Sequence, residues 1–225
     1  MEAAVSAGEV VEAFLFTAQG EIQPCSALGA TMAPFNAGVA YQKASLDEEA
    51  IQAYTEAIRL DRQDGDAYYN RGNAYYDLGQ YQRAIWDYDE AIRLDPQDAN
   101  SYNNRGAAYI GLGQPELAVQ DLNQAILLDP QDADTYYFRG DAYYRQGRYQ
   151  LAIQDLGEVI LRDPGGYILF MRRSEAYTRL GMYKEAQQDK DRAIEINRAM
   201  SDRVGEILDE IQGLTLTDRL LILLR

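Results

Sequence analysis

The segment Gly65–Asp98, GDAYYNRGNAYYDLGQYQRAIWDYDEAIRLDPQD, recurs along the chain at a spacing of 34 residues. Its Asn-Arg-Gly at 70–72 returns at 104–106 and, as Phe-Arg-Gly, at 138–140. Its Asp95-Pro96 returns as Asp129-Pro130 and Asp163-Pro164. A fixed period of this length marks a stacked array of small supersecondary units. Outward from this segment, copies start near Thr31, Gly65, Ala99, Ala133 and Tyr167, and the last ends near Met200. They run in register without insertion. One column holds Gly38, Gly72, Gly106 and Gly140, completed by Ser174. Others hold Ala40, Ala74, Ala108, Ala142 and Ala176, then Tyr41, Tyr75, Tyr109, Tyr143 and Tyr177.

These columns read as helix packing. A glycine or alanine at a crossing lets two helix axes approach closely, and a tyrosine fills the space beside it. Gly79, Gly113, Gly147 and Gly181 sit where a first helix should stop, as C-terminal glycines do. A second amphipathic helix follows, as in Tyr81–Leu94. Pro96, Pro130 and Pro164 should end it, because proline cannot continue the hydrogen-bond ladder. Neither helix buries its face alone, so neighbours must stack.

The pattern resembles the tetratricopeptide repeat, carried in the second copy by Tyr68, Gly72, Tyr75, Ala84, Tyr88, Ala91 and Pro96. The resemblance covers residues 31–200. It implies an all-α, right-handed superhelical array of five helix-turn-helix repeats. The end copies depart from it. Pro34, Ser45 and Arg62 replace the first aromatic, the turn glycine and the proline in the first, and Lys190 and Arg198 break the pattern in the fifth. Residues 1–30 do not fit the repeat. Val10, Val11, Phe14 and Leu15 suit a helix over Ala3–Thr17, with a strand over Val10–Phe16 as the rival reading. Gly20–Ala33 reads as a loop. Residues 201–225 read as a capping helix and an apolar tail. Ser201 or Asp202 should cap the helix, and Val204, Ile207, Leu208 and Ile211 should pack on the last repeat.

Composition narrows the function. The net charge of −15 argues against nucleic acid, where basic residues supply most of the affinity, and against an anionic membrane surface. With no histidine and only Cys25, there is no Cys/His zinc site and no histidine-based acid–base chemistry. No cofactor, no metal and no catalysis are expected. Glu2, Glu9 and Glu12 stand where a signal peptide would carry positive charge, so a soluble cytoplasmic protein is expected.

Two further constellations stand out. Arg71, Arg105, Arg139 and Arg173 each precede an aspartate by 16 residues: Asp87, Asp121, Asp155 and Asp189. Both columns become alanine in the first copy, as Ala37 and Ala53. An ion pair within each repeat explains their joint presence and joint loss. The family resemblance implies that first helices line a concave groove. Asn36, Asn70 and Asn104 recur there at one slot, similar to the asparagine ladders that hold a peptide backbone. Tyr69, Asn73, Tyr76, Tyr137, Asp141 and Arg172 complete the candidate site. Asn73 and Asn104 match the carboxylate clamp of one branch of the family. Its basic slots, however, hold Tyr69, Asp134 and Phe138. The resemblance therefore implies a non-catalytic interaction scaffold that grips a peptide or partner segment in its groove. The alternative is an assembly subunit, a homodimer joined through the C-terminal leucines and the first repeat.

Overall fold

The computed structural model describes residues 14–16, 22–24 and 32–212. Strands β1 (Phe14–Phe16) and β2 (Ile22–Pro24) pair antiparallel, with Leu15 opposite Gln23. The aromatic run at 14–16 thus forms a strand, as β propensity favours. The loop expected over Gly20–Ala33 contributes its partner. The remainder of the expected N-terminal helix lies outside the described residues.

Among the described residues ten helices follow in five pairs: α1 (Met32–Lys43) with α2 (Asp47–Leu60), α3 (Gly65–Asp77) with α4 (Tyr81–Leu94), α5 (Ala99–Gly111) with α6 (Pro115–Leu128), α7 (Ala133–Arg145) with α8 (Tyr149–Arg162), and α9 (Tyr167–Arg179) with α10 (Tyr183–Gln212). Packing divides the chain into two compact units, Met1–Ala142 and Tyr143–Arg225, with the division inside α7. In the first unit, α2 packs on α3 and α4 on α5, so each repeat closes on the next. In the second, α8 packs on α9 and α9 on α10.

The small-residue column works as expected. A Cβ added at Gly38 would lie 2.5 Å from the Tyr54 ring, one at Gly72 2.7 Å from Tyr88, and one at Gly106 2.8 Å from Leu122. Tyr54, Tyr88 and Leu122 are accordingly buried. In the fifth repeat the large partner becomes Lys190, which is exposed. There the buried Ser174 donates its hydroxyl to the Ala186 carbonyl at 2.8 Å instead.

The turns follow from backbone chemistry. Gly79, Gly113, Gly147 and Gly181 all take positive φ. The N–H of Gln80 then reaches the Tyr75 carbonyl at 2.8 Å, and Gln114, Arg148 and Met182 repeat the bond to Tyr109, Tyr143 and Tyr177 at 2.9 Å. These are the closing bonds of a Schellman motif. Ser45 keeps the same geometry without glycine, at φ 55°, and Leu46 donates to Tyr41 at 3.0 Å.

The last helix differs from expectation. Residues 201–212 are helical, but α10 runs from Tyr183 to Gln212 without a break. Ser201 and Asp202 cap nothing. In the earlier repeats, Asp61, Asp95 and Asp129 each accept from the N–H two residues on, and this turn ends the second helix. Arg62 shows that proline is not required for it. At the end of the fifth repeat Asn197 and Arg198 replace the Asp-Pro pair, and Met200 replaces the capping aspartate at 64 and 98. With every stop signal gone, the helix continues. Because 201–212 prolong α10, they do not fold back on it as a separate cap. The side chains of Val204, Ile207, Leu208 and Ile211 and the tail Leu214–Leu224 lie outside the described residues.

Three of the four Arg–Asp pairs fall within one unit, and all three form. Arg71 grips Asp87 with two bonds of 2.8 and 2.7 Å. Arg105 grips Asp121 at 2.7 Å twice, and Arg173 grips Asp189 at 2.8 and 2.7 Å. Arg139 and Asp155 belong one to each unit. These carboxylates are buried. Burial pushes Asp87 and Asp121 above the ordinary carboxylate range, against the pull of their arginines. The arginines also stack over the aromatic column, Arg71 beside Tyr68 and Tyr75 and Arg173 beside Phe170 and Tyr177. The arginines make a further contact. The spare Nη1 reaches back to the preceding repeat, from Arg71 to Thr55 Oγ1 at 3.0 Å, from Arg105 to Asp89 at 2.7 Å and from Arg139 to Asn123 at 2.8 Å. Arg71 and Arg105 therefore each tie their own repeat to the one before it.

Candidate functional site: a polar groove along the first helices

Within the first unit, α3 neighbours both α1 and α5. Their shared side carries mostly polar and aromatic residues around Ala107. At its centre is a hydrogen-bond network. Asn104 Nδ2 donates to Asn73 Oδ1 at 2.8 Å and to the Tyr69 hydroxyl at 3.0 Å. The Tyr88 hydroxyl donates to the same Asn73 oxygen at 2.8 Å. Asn103 Nδ2 donates to Asn104 Oδ1 at 3.2 Å, and Asn103 in turn accepts from Thr135 at 3.1 Å. The network runs from α3 and α4 through α5 to the start of α7. It fixes two amides that an exposed surface would leave free to rotate.

Next to it lies a pocket of ≈ 300 Å³. Asn73, Tyr76 and Asn104 line it, together with Tyr88 and Phe138. Gln42, Asp77 and Ala107 complete its lining, and Gln42 is held by the Tyr54 hydroxyl at 3.0 Å. Burial raises the phenols of Tyr69, Tyr76 and Tyr88 above their ordinary value. All three are therefore neutral hydroxyls at any physiological pH. No buried side-chain nitrogen or oxygen among the described residues lacks a partner.

The structure brings together Tyr69, Asn73, Tyr76 and Asn104 of the expected site. The three ladder asparagines do not behave alike. Asn70 turns its amide to its own helix, donating to the Asp66 carbonyl at 2.8 Å. Asn104 is engaged in the network, and Asn36 is half-buried on α1. Tyr137 packs edge-on against Phe138 with ring centres 5.7 Å apart. Asp141 is half-buried on α7. Arg172 is exposed in the second unit and pairs with Glu175 at 3.6 Å. Tyr88 is the contributor that sequence reasoning left in the packing column. The signal was available: that column holds Tyr54, Tyr88 and Leu122, and only a tyrosine adds a hydroxyl at the far end of the ring.

Among the described residues no group of three or more His, Cys, Asp or Glu could hold a metal ion, and no helix is long and apolar enough to cross a membrane. Tetratricopeptide repeat models match residues 47–79 and 72–113, 103–168 and 169–200. The chain belongs to the tetratricopeptide repeat family. It is accordingly a non-catalytic protein–protein interaction module. The matches begin at Asp47, leaving out α1 of the degenerate first repeat. No curated protein gives a significant match. Among solved structures, the chain is similar to MamA from Desulfovibrio magneticus RS-1, with 25% identity, a TM-score of 0.73, and coverage of 77% of this chain and 98% of that one. A second MamA crystal structure gives 25% identity and a TM-score of 0.70 over 73% of this chain and 96% of that one. YrrB, described as a tetratricopeptide protein with an unusual peptide-binding site, gives 25% identity and a TM-score of 0.65 over 74% and 86%.

Proposed function

We propose that this module holds an extended or helical segment of a cytoplasmic partner protein along the groove of its first unit. Asn73, Asn104, Tyr69 and Tyr76 are the central contacts, and Asn36, Asn70, Tyr137 and Asp141 flank them. In the second unit, the exposed Arg172 is a separate contact for a carboxylate. The observation that carries the reading is the pocket beside the Tyr69–Asn104–Asn73–Tyr88 network. Its polar groups are already oriented, so binding does not have to order them. Tyrosine supplies large contact area with a polar tip, the usual material of an interface centre. The likeness to YrrB is in keeping with a peptide-sized ligand. The test is selection of a random peptide library on the full chain, followed by calorimetric titration of the selected peptide. Asn104→Ala should weaken it by roughly 1 kcal/mol, the net value of a hydrogen bond. Tyr76→Ala should cost about 2 kcal/mol, as buried aromatic anchors do. Full affinity in both variants, with loss on Trp86→Ala on the exposed side of α4, contradicts the groove.

A second reading, self-association, is favoured by one column. Ile58, Ile92 and Ile160 are each 9% exposed, whereas Ile194, their counterpart in the last repeat, is 56% exposed. Ile58 packs with Ala67 and Tyr68 of the following repeat, a neighbour with no counterpart after the fifth repeat among the described residues. An unpaired repeat face of this kind calls for a cover, and a second copy would supply one, with the C-terminal leucines as its extension. Light scattering across a concentration series separates the readings. A dimer abolished by Ile194→Lys favours assembly, and a monomer throughout favours the groove.

A further inference from the structure

The pocket contains one charged residue, and its position is unfavourable in three ways. Asp77 is the last residue of α3, where the helix dipole presents its negative end. Partial burial, and after it the nearby Asp47 carboxylate, raise its proton affinity above the ordinary value. Neither Asp77 nor Asp47 makes an ion pair among the described residues, although Arg59, Arg71, Arg93 and Arg105 of the same unit all do. The repeat itself shows what this slot ordinarily holds. The equivalent residues are Lys43, Arg145 and Arg179, with Gly111 in the third repeat. A cation suits a helix C-terminus, and three of five repeats place one there. The second repeat reverses the sign at the residue that lines the pocket.

The remaining polar groups include free acceptors. Asn73 has its oxygen engaged twice, by Tyr88 and Asn104. Asn104 and Gln42 each offer an oxygen that accepts one bond from within the protein and has a lone pair left. The pocket therefore presents these acceptors beside the amide N–H donors of Asn73 and Gln42, and its one charged group, the Asp77 carboxylate, sets the sign of the ligand it prefers. Its walls are the rings of Tyr76, Tyr88 and Phe138, whose faces attract cations. No lysine or arginine lines it, so a carboxylate would meet no counter-charge there.

We propose that the pocket receives an arginine side chain from the partner segment, its guanidinium paired with Asp77 and lying against the aromatic walls. This rests on the groove reading and names the chemistry of its occupant. A guanidinium has five donors and no acceptor, and its planar fork matches a carboxylate in a way an ammonium does not. Asp77 thus serves recognition at the expense of local stability, a trade-off often found where a binding site is built into a scaffold.

The experiment titrates the isotope-labelled full chain with three blocked peptides, Gly-Ser-Arg-Ser-Gly and its lysine and glutamate versions, followed by amide NMR and thermal melts. The arginine peptide should give saturable shifts at Asp77 and at the side-chain amides of Asn73 and Asn104. The lysine peptide should bind there more weakly, and the glutamate peptide not at all. Asp77→Asn should reduce the arginine affinity by about tenfold or more, the loss of a charge-assisted bond, while its melting temperature stays equal or rises. That combination separates recognition from a structural role, which would lower the melt. Equal binding of the arginine and glutamate peptides at these residues overturns the arginine assignment and leaves the groove standing. So does undiminished arginine binding by Asp77→Asn. Absence of saturable shifts from all three peptides also overturns it. The groove reading falls separately, if library-selected peptides shift only residues outside α1, α3, α5 and α7.

Discussion

The joint between the second and third repeats and the joint between the fourth and fifth use the same arginine differently. At the first, Arg105 holds Asp121 with two bonds and reaches back to Asp89 on α4 at 2.7 Å. At the second, Arg173 holds Asp189 in the same way, but the residue at the reach-back position on α8 is Gly157. A Cβ built there would come within 3.7 Å of Arg173 Nη1, so the guanidinium points at a side chain that is missing. The grip within a repeat is common to both joints, whereas the tie between repeats is an option that each joint fills or leaves empty. Thr55, Asp89 and Asn123 fill it with three different chemistries, all of them oxygen acceptors.

The largest effect should come from breaking the common part. Asp121→Ala leaves Arg105 half-buried with only the exposed Asp89 as partner. Removing one member of a buried pair costs about 3–5 kcal/mol. Urea unfolding should show it as a lower midpoint with an unchanged slope. A loss below about 1 kcal/mol, the range of an exposed pair, would mean that the grip is a surface contact. The next effect has the opposite sign. Gly157→Asn replaces a mid-helix glycine by a residue only slightly more favourable in a helix, and gives Arg173 Nη1 its acceptor, worth about 0.5–1.5 kcal/mol. The melting temperature should rise. An unchanged or lower value would show that the gap at Gly157 is not an empty tie. The smallest effect is Asp89→Ala, which removes the tie but leaves the grip and should cost ~0.2–1 kcal/mol.

Much of this was legible because a 34-residue period states each packing demand several times. The glycine column marked a close helix crossing, and the structure places Tyr54, Tyr88 and Leu122 of the second helices against it. The Arg–Asp grip was readable from the joint loss of both columns in the first repeat. The reach-back tie was not, because its acceptor changes type from Thr55 to Asp89 to Asn123 and no column of like residues forms. The same holds for the site. Asn36, Asn70 and Asn104 look equivalent along the chain. Only Asn104, however, has a tyrosine hydroxyl and a second amide within reach, supplied by Tyr69 and Asn73 of the previous repeat. Periodicity predicts backbone placement, whereas the direction of an amide depends on a neighbour about one repeat away. The continuous α10 was missed for a related reason. Ser201 and Asp202 are good caps in isolation, but a cap acts only after the preceding helix has stopped, and Asn197-Arg198 removes that stop.

The central claim is that this module binds through the first-helix groove rather than through its exposed outer or end faces. Amide hydrogen exchange of the full chain, with and without a library-selected peptide and at low and high protein concentration, tests it most directly. The account predicts peptide-dependent protection in α3 and α5, centred on 69–77 and 103–107, and no change with protein concentration alone. Concentration-dependent protection around Ile194 in α10, with α3 and α5 unaffected by peptide, would contradict it.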